Sequence, residues 1–236
     1  HAITSNEIFD LPALPRRSVI VGGGYIACEF ACILRGLGAE VTQLYRGAQI
    51  LRGFDDEVRD HVAHEMRARG IDLRTGTDVE AIEAGDGQRT VRLRDGGALP
   101  ADMVLYATGR VPNTAGLGLA EAGVELAPNG AVQVDGWSQS SVPSIHAVGD
   151  VTDRLQLTPV AIREGQAFAE TVFKAAPKTA DHDLVPTAVF TQPEIGTVGL
   201  TEAEARETGE IEVYRTAFRP MDTILAGREE RMLMKI

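Results

Sequence analysis

At 236 residues the chain is long enough for one large domain or two modest ones, and its 44% apolar and 24% charged residues are ordinary for a globular protein. A net charge of −11 excludes general binding to a nucleic-acid backbone or an anionic membrane surface, both of which need a basic face. No apolar run approaches the ~20 residues of a membrane span, no charged-then-apolar leader opens the chain, and Cys28 and Cys32 lie one helical turn apart rather than forming a disulfide framework. A cytoplasmic setting is expected, and any bound phosphate must be met by local cations or backbone amides. The chain opens His1-Ala2-Ile3 without a methionine and ends in RMLMKI inside a strand pattern, so a piece of a longer protein is expected.

Residues 3–15 read as a short helix, with Thr4 and Glu7 spaced as a capping box, followed by a proline-rich linker. Residues 16–46 run as strand, glycine turn, helix, glycine stop and strand, a βαβ unit of ordinary size. DDEVRDHVAHEMRARG (55–70) is the next helix, with acids in its first turn and Val58, Val62 and Met66 on one face, and IDLRTG is a third strand. Between 79 and 109, short alternating runs split by Gly-Asp-Gly and Asp-Gly-Gly predict an antiparallel meander leading into a buried strand, MVLYATG.

A second unit follows. AVQVD (131–135) and SIHAVGD (144–150) have strand character, and 158–174 predicts an amphipathic helix with Ala161, Phe168, Val172 and Phe173 inward. After a linker, TAVFTQPEIGTVGL, a helix capped by Thr201 with Glu204 at its third position, IEVYRTAFRP and RMLMKI begin an α+β unit. The predicted fold class is α/β, a Rossmann-type domain with a meander, a central part and an incomplete α+β domain. The expected boundaries are 1–15, 16–112, 113–183 and 184–236.

GGGYIA places Gly22-x-Gly24-x-x-Ala27 after a strand and at the start of a helix, the context that marks a dinucleotide turn. Gly22 permits the tight turn, and Gly24 lets the backbone approach a pyrophosphate seated on the helix N-terminus. An NAD site would carry Asp or Glu at the end of the second strand, about 20 residues further on. Tyr45 and Arg46 stand there instead, and Arg52 follows six positions later. Two guanidiniums can fork onto a 2′-phosphate, so the dinucleotide is read as NADPH. The rival reading, in which both arginines are solvated loop charges, stays open.

GGGYIACEF, YRGAQILRGFD, LYATGRVPNT, HAVGDVTDRLQLTPVAIREG and VFTQPEIGTVGLTEAEA, in that order, make the chain resemble the flavin-dependent pyridine nucleotide-disulfide reductases, and within them the glutathione reductases most. Lipoamide dehydrogenases carry Glu where Tyr45 stands, whereas trypanothione and mercuric reductases are harder to separate. The resemblance implies NADPH and FAD as cofactors, oxidised glutathione as substrate and a homodimer. It implies that Gly22, Gly23, Gly24, Tyr25, Ile26, Ala27 and Glu29 lie at the nicotinamide nucleotide, with Tyr25 swinging aside to admit nicotinamide. Arg46 and Arg52 match the 2′-phosphate pair, and Gly109 lies beside the dinucleotide. Asp150 matches the acid that bonds the ribityl chain of FAD, Thr158 a residue at the flavin's pyrimidine edge, and Leu157 one near the nicotinamide.

The resemblance also shows what this chain lacks: a flavin glycine turn, a redox Cys-x4-Cys pair and a C-terminal His-Pro segment. Cys28 and Cys32, spaced as i and i+4 on an apolar helix, read as small core residues. No catalytic residue is therefore expected here, and the chain alone is expected to be inactive, with a non-catalytic NADPH-binding module as the reading from another class. His61 and His64 read as a solvated helix face with no metal, and Gln166 stands where some members of the family have arginine. Glu29, alone among apolar residues 26–34, needs a partner, which the family supplies from a lysine in the flavin half.

Overall fold

Alternation along β1 (Arg17–Val21) sends Val19 to one face of a sheet and Ile20 to the other, and both are buried. A strand covered on both faces belongs in the middle of a parallel sheet. In the computed structural model β1 pairs in parallel with β2 (Glu40–Tyr45) and β7 (Met103–Tyr106), and β3 (Asp72–Thr75) flanks β2, giving the order β3-β2-β1-β7. Residues 1–85 and 88–236 are described, in two compact units: 1–109 with 186–236, and 110–185.

The first unit has two layers of core. On the Ile20 side, α1 (Tyr25–Gly36) and α2 (Asp56–Ala68) contribute Ala27, Ala31, Leu34, Val62 and Met66. On the Val19 side, β4 (Val79–Gly85), β5 (Gln88–Leu93) and β6 (Ala98–Ala101) form the expected antiparallel meander, whose Val91, Leu93 and Ala101 pack on Val19, Leu44 and Val104. Asp86 and Gly87 of the first predicted hairpin turn lie outside the described residues. The N-terminal segment departs from expectation. Thr4 does donate to the Glu7 carboxylate, from its amide at 2.7 Å and its hydroxyl at 2.6 Å, but Glu7 opens a 3₁₀ helix (Glu7–Asp10), so the pair closes a preceding turn and caps nothing. Ile3 meanwhile bridges Leu105 and extends the sheet beside β7.

Residues 186–236 form two hairpins, β8 (Thr187–Val189) with β9 (Ile195–Thr197) and β10 (Arg215–Phe218) with β11 (Met232–Lys235), together with α4 (Glu202–Thr208) and the short α5 (Met221–Leu225). The Thr201–Glu204 capping box is present on α4; α5 was not foreseen. In the second unit the one long element is α3 (Thr158–Phe173), preceded by a 3₁₀ turn (Gly149–Thr152).

Two expectations for the second unit are corrected. Residues 131–135 and 144–150 are not strands: Val132 bridges Leu126 and His146 bridges Gln139, and their other backbone bonds go to scattered partners, so no ladder forms. Apolar alternation there serves local packing of turns. The buried stripe of α3 is Val160, Glu164 and Ala167, while Val172 and Phe173 at its C-terminal end are exposed. Among the described residues no helix is long and apolar enough to cross a membrane.

Lys235, 11% exposed, ties the C-terminal hairpin to two helix starts. Its ammonium lies 2.8 Å from Asp55 Oδ1, 2.7 Å from Glu202 Oε2 and 3.3 Å from Glu57 Oε2. Asp55 is also the N-cap of α2 and accepts the Glu202 N–H. Burial pushes the Asp55 carboxyl up, but Lys235 and the Glu202 amide outweigh it and leave it below the usual carboxylate range. For Lys235, burial works downward and is outweighed by hydrogen bonds to the carboxylates, which raise it above an ordinary lysine. A depressed carboxyl contributes stability that is complete above its unfolded pKa, about 3.9, and is lost as pH falls through the folded value. A raised ammonium contributes below about 10.4 and is lost as pH rises beyond it. The urea midpoint of the wild-type chain is therefore expected to fall more steeply from pH 5 to pH 2 than that of Lys235→Met; parallel acid limbs would show that the cluster stabilises nothing.

Candidate functional site

Close neighbours require glycine at two positions of the turn. Gly22, at φ +148°, approaches so near the chain after β7 that a Cβ there would collide with the carbonyl oxygen of Ala107. A Cβ on Gly23 would lie 2.5 Å from the ring of Tyr45, which covers this residue. Gly24 faces open space and is the N-cap of α1, where, having no side chain, it cannot itself cap the helix. The positive end of a helix dipole favours an anion at such a position. Ala27, fully buried, packs one turn in.

Gln43 supports the turn from below. Fully buried in β2, it donates through Nε2 to the Gly22 carbonyl at 3.0 Å and lies 3.4 Å from Cys28 Sγ. Sequence reasoning missed it, although a glutamine inside an apolar strand was a visible signal.

The loop that carries the two arginines is fastened to this turn. Leu51, 1% exposed and in the left-handed region at φ +55°, donates its N–H to the Gly23 carbonyl at 2.6 Å. Arg59 of α2 donates to the carbonyls of Ile50 (2.7 Å) and Gln49 (3.0 Å), and Gln49 donates to Asp60 (2.6 Å). Arg46 and Arg52 are exposed on this fixed loop, and among the described residues neither has an acidic partner within ion-pairing distance. By contrast Arg59, Arg69 and Arg74 are paired.

The other expected residues fall into two groups. In the first unit, Tyr25 and Ile26 stand in the opening turn of α1, Glu29 one turn on, and Gly109 (φ +146°) closes the stretch after β7. Glu29 finds a partner within the chain: its Oε1 accepts the Phe190 N–H at 2.9 Å, a role for Phe190 that sequence reasoning did not supply. In the second unit, Asp150 sits in the 3₁₀ turn, exposed on a cleft of about 160 Å³ that it shares with Arg110, Asn113 and Gln156. Leu157 is the N-cap of α3 and Thr158 its first residue, and no side chain caps that helix start either.

Cys28 and Cys32 are buried and unpaired, as expected of core residues, and burial pushes the Cys28 thiol up to about 12. Neither is a thiolate nucleophile at neutral pH. His61 bonds the Arg231 carbonyl at 2.9 Å, His64 is exposed, and no cluster of metal-ligating side chains exists among the described residues.

Residues 1–165 match the pyridine nucleotide-disulphide oxidoreductase family, and residues 185–236 match that family's dimerisation domain. The chain belongs to this family. Among its relatives, the glutathione reductase of Burkholderia cepacia is 55% identical over 99% of this chain and 52% of its own length. A trypanothione reductase of Trypanosoma congolense is 44% identical over 100% of this chain and 49% of its own. The HOCl-induced flavoprotein disulfide reductase RclA from Escherichia coli superposes with a TM-score of 0.89 at 29% identity, covering 99% of this chain and 54% of that one. The chain thus spans about half the length of the relatives it matches.

The contact between Gly23 and Tyr45 is testable without ligand. Gly23→Ala is expected to destabilise the chain by about 1–3 kcal/mol through overpacking, and by much less in a Tyr45→Ala background. Equal losses in both backgrounds, measured by urea unfolding, would contradict the packing described.

Proposed function

We propose that this chain is the nicotinamide-nucleotide half of an NADPH-dependent, FAD-containing glutathione-disulfide reductase of about twice its length. The observation that carries the reading is Arg46 and Arg52, exposed and, among the described residues, without an ion-pair partner, on a loop bonded directly to the glycine turn. A carboxylate at the end of β2 would repel a 2′-phosphate; Tyr45 and Arg46 there favour it. The turn suits a pyrophosphate, because Gly24 leaves open the space a Cβ would fill at a helix N-terminus.

In this reading residues 16–112 bind NADPH, 113–183 complete the FAD site and 184–236 open the dimer-forming domain of a cytoplasmic homodimer. Gly22, Gly23, Gly24 and Ala27 shape the pyrophosphate seat, and Arg46 and Arg52 hold the 2′-phosphate. Ile26, Glu29 and Gly109 lie beside the dinucleotide, with Tyr25 as the movable cover over the path of the nicotinamide. Asp150 and Thr158 hold the flavin side, and Leu157 lies near the nicotinamide. Bound FAD supplies the hydride acceptor and the two-electron link to a cysteine pair that reduces oxidised glutathione. This chain's residues bind and orient. Cys28 and Cys32, buried with a raised thiol at Cys28, are not that pair. The 44% identity to a trypanothione reductase, with Gln166 exposed on α3, keeps a trypanothione-type substrate as the second reading.

Calorimetric titration of the chain with NADPH and with NADH tests the assignment. Each charge-assisted arginine contact contributes about 1.5–3 kcal/mol, so NADPH is expected to bind at least ~10-fold tighter, with the gap closing on added salt and vanishing in Arg46→Glu. Equal affinities for the two nucleotides in folded protein would make the arginines bystanders and overturn the reading.

A further inference from the structure

Glu164 is 1% exposed in the middle of α3, on a protein whose other acids are mostly solvated, and the proposed electron path makes no use of it. A buried carboxylate is costly unless it is paired and hydrogen-bonded. Glu164 has three partners. Its Oε2 accepts the Gly149 N–H at 2.6 Å; its Oε1 accepts from Arg154 Nη2 at 2.9 Å and lies 2.7 Å from His182 Nε2. Arg154 continues the chain of bonds: its Nε donates to Thr152 Oγ1 at 3.3 Å and its Nη2 to Ser138 Oγ at 3.2 Å. Thr152 then donates its hydroxyl to the Gly149 carbonyl at 2.8 Å.

These bonds close a ring: Gly149 N–H, Glu164, Arg154, Thr152, Gly149 C=O. The ring encloses the 3₁₀ turn Gly149–Thr152, of which Asp150 is the second residue. The turn is also seated hard on α3, since a Cβ on Gly149 (φ +73°) would lie 3.0 Å from Ala161 Cβ. The Asp150 carboxylate is no member of the ring; it is left exposed on the cleft beside Asn113 and Gln156. We infer that Glu164 is a positioning residue that, through Arg154 and Thr152, locks the turn so that Asp150 presents its carboxylate to the polyol hydroxyls of a flavin nucleotide. This rests on the assignment of Asp150 to the FAD side. A polar donor or acceptor held by a buried, fully bonded shell loses less freedom when it binds, and so binds more tightly.

The test is a double-mutant cycle on FAD affinity, measured by flavin fluorescence on FAD-stripped protein of the full length this reading requires. Glu164→Gln keeps the volume and one acceptor but not the charge, and Thr152→Val keeps the shape and removes the last link of the ring. Each is expected to raise the FAD dissociation constant about tenfold in the wild-type background and to have no further effect when Asp150→Asn is present. Equal fold losses in both backgrounds would show a general structural role and overturn the inference, as would unchanged affinity in both. Should Glu164→Gln fail to fold, Thr152→Val carries the cycle alone. Asp150→Asn binding FAD as tightly as wild type would instead overturn the flavin assignment of Asp150, and the inference with it. A loss in Asp150→Asn with none in the ring variants overturns the ring's role only.

Discussion

The hydrogen bond from the Leu51 amide to the Gly23 carbonyl is the contact on which the candidate site depends. A glycine turn at a helix N-terminus will seat many anions, and a pair of loop arginines will attract many more. Joined by a 2.6 Å bond, the turn and the arginine-bearing loop become one surface, with the two proposed anion seats at a fixed separation. The junction requires a leucine in the left-handed region, at a backbone cost of order 1–2 kcal/mol. Complete burial of Ile50 and near-complete burial of Leu51, worth about 1.5–3 kcal/mol each, offsets that cost and explains why the loop stays down. In a chain with net charge −11, such local fixing sets two cations against the overall field.

Carboxylates largely withdrawn from solvent do the organising elsewhere. Asp55 caps α2, accepts the first amide of α4 and takes the Lys235 ammonium, so the helix that follows the arginine loop begins at a defined place. Glu164 works in the same way within the second unit, gathering a backbone amide and a guanidinium around the turn of Asp150. Each fixes the backbone in or beside a segment that carries candidate site residues.

Much of this was legible in the sequence because the signals are local. The βαβ unit, the meander and the α4 capping box follow from period, glycine placement and cap chemistry, and all are present. Strand character at 131–135 and 144–150 misled, because a few alternating apolar residues satisfy small turns as well as they satisfy a ladder; only partner segments decide between them. Val172 and Phe173 fit the apolar face of α3 by period, yet the helix outruns the surface it packs on. In the site, the glycines and arginines were visible as residue types at set spacings. The support of Gln43 beneath Gly22, the cover of Tyr45 over Gly23, the Leu51 bond and the Phe190 amide on Glu29 were not, because each joins segments distant in sequence.

The most direct test of a single two-seat cradle is a ¹H–¹⁵N correlation titration of the chain with adenosine 2′,5′-bisphosphate, with adenosine 5′-diphosphate as the control. The account predicts that the amides of Gly23, Gly24, Leu51 and Arg52 shift together along one saturation curve, and that the control perturbs Gly23 and Gly24 while leaving Arg52 nearly still. Shifts at the two segments that saturate at different concentrations, or the same pattern from both nucleotides, would contradict it.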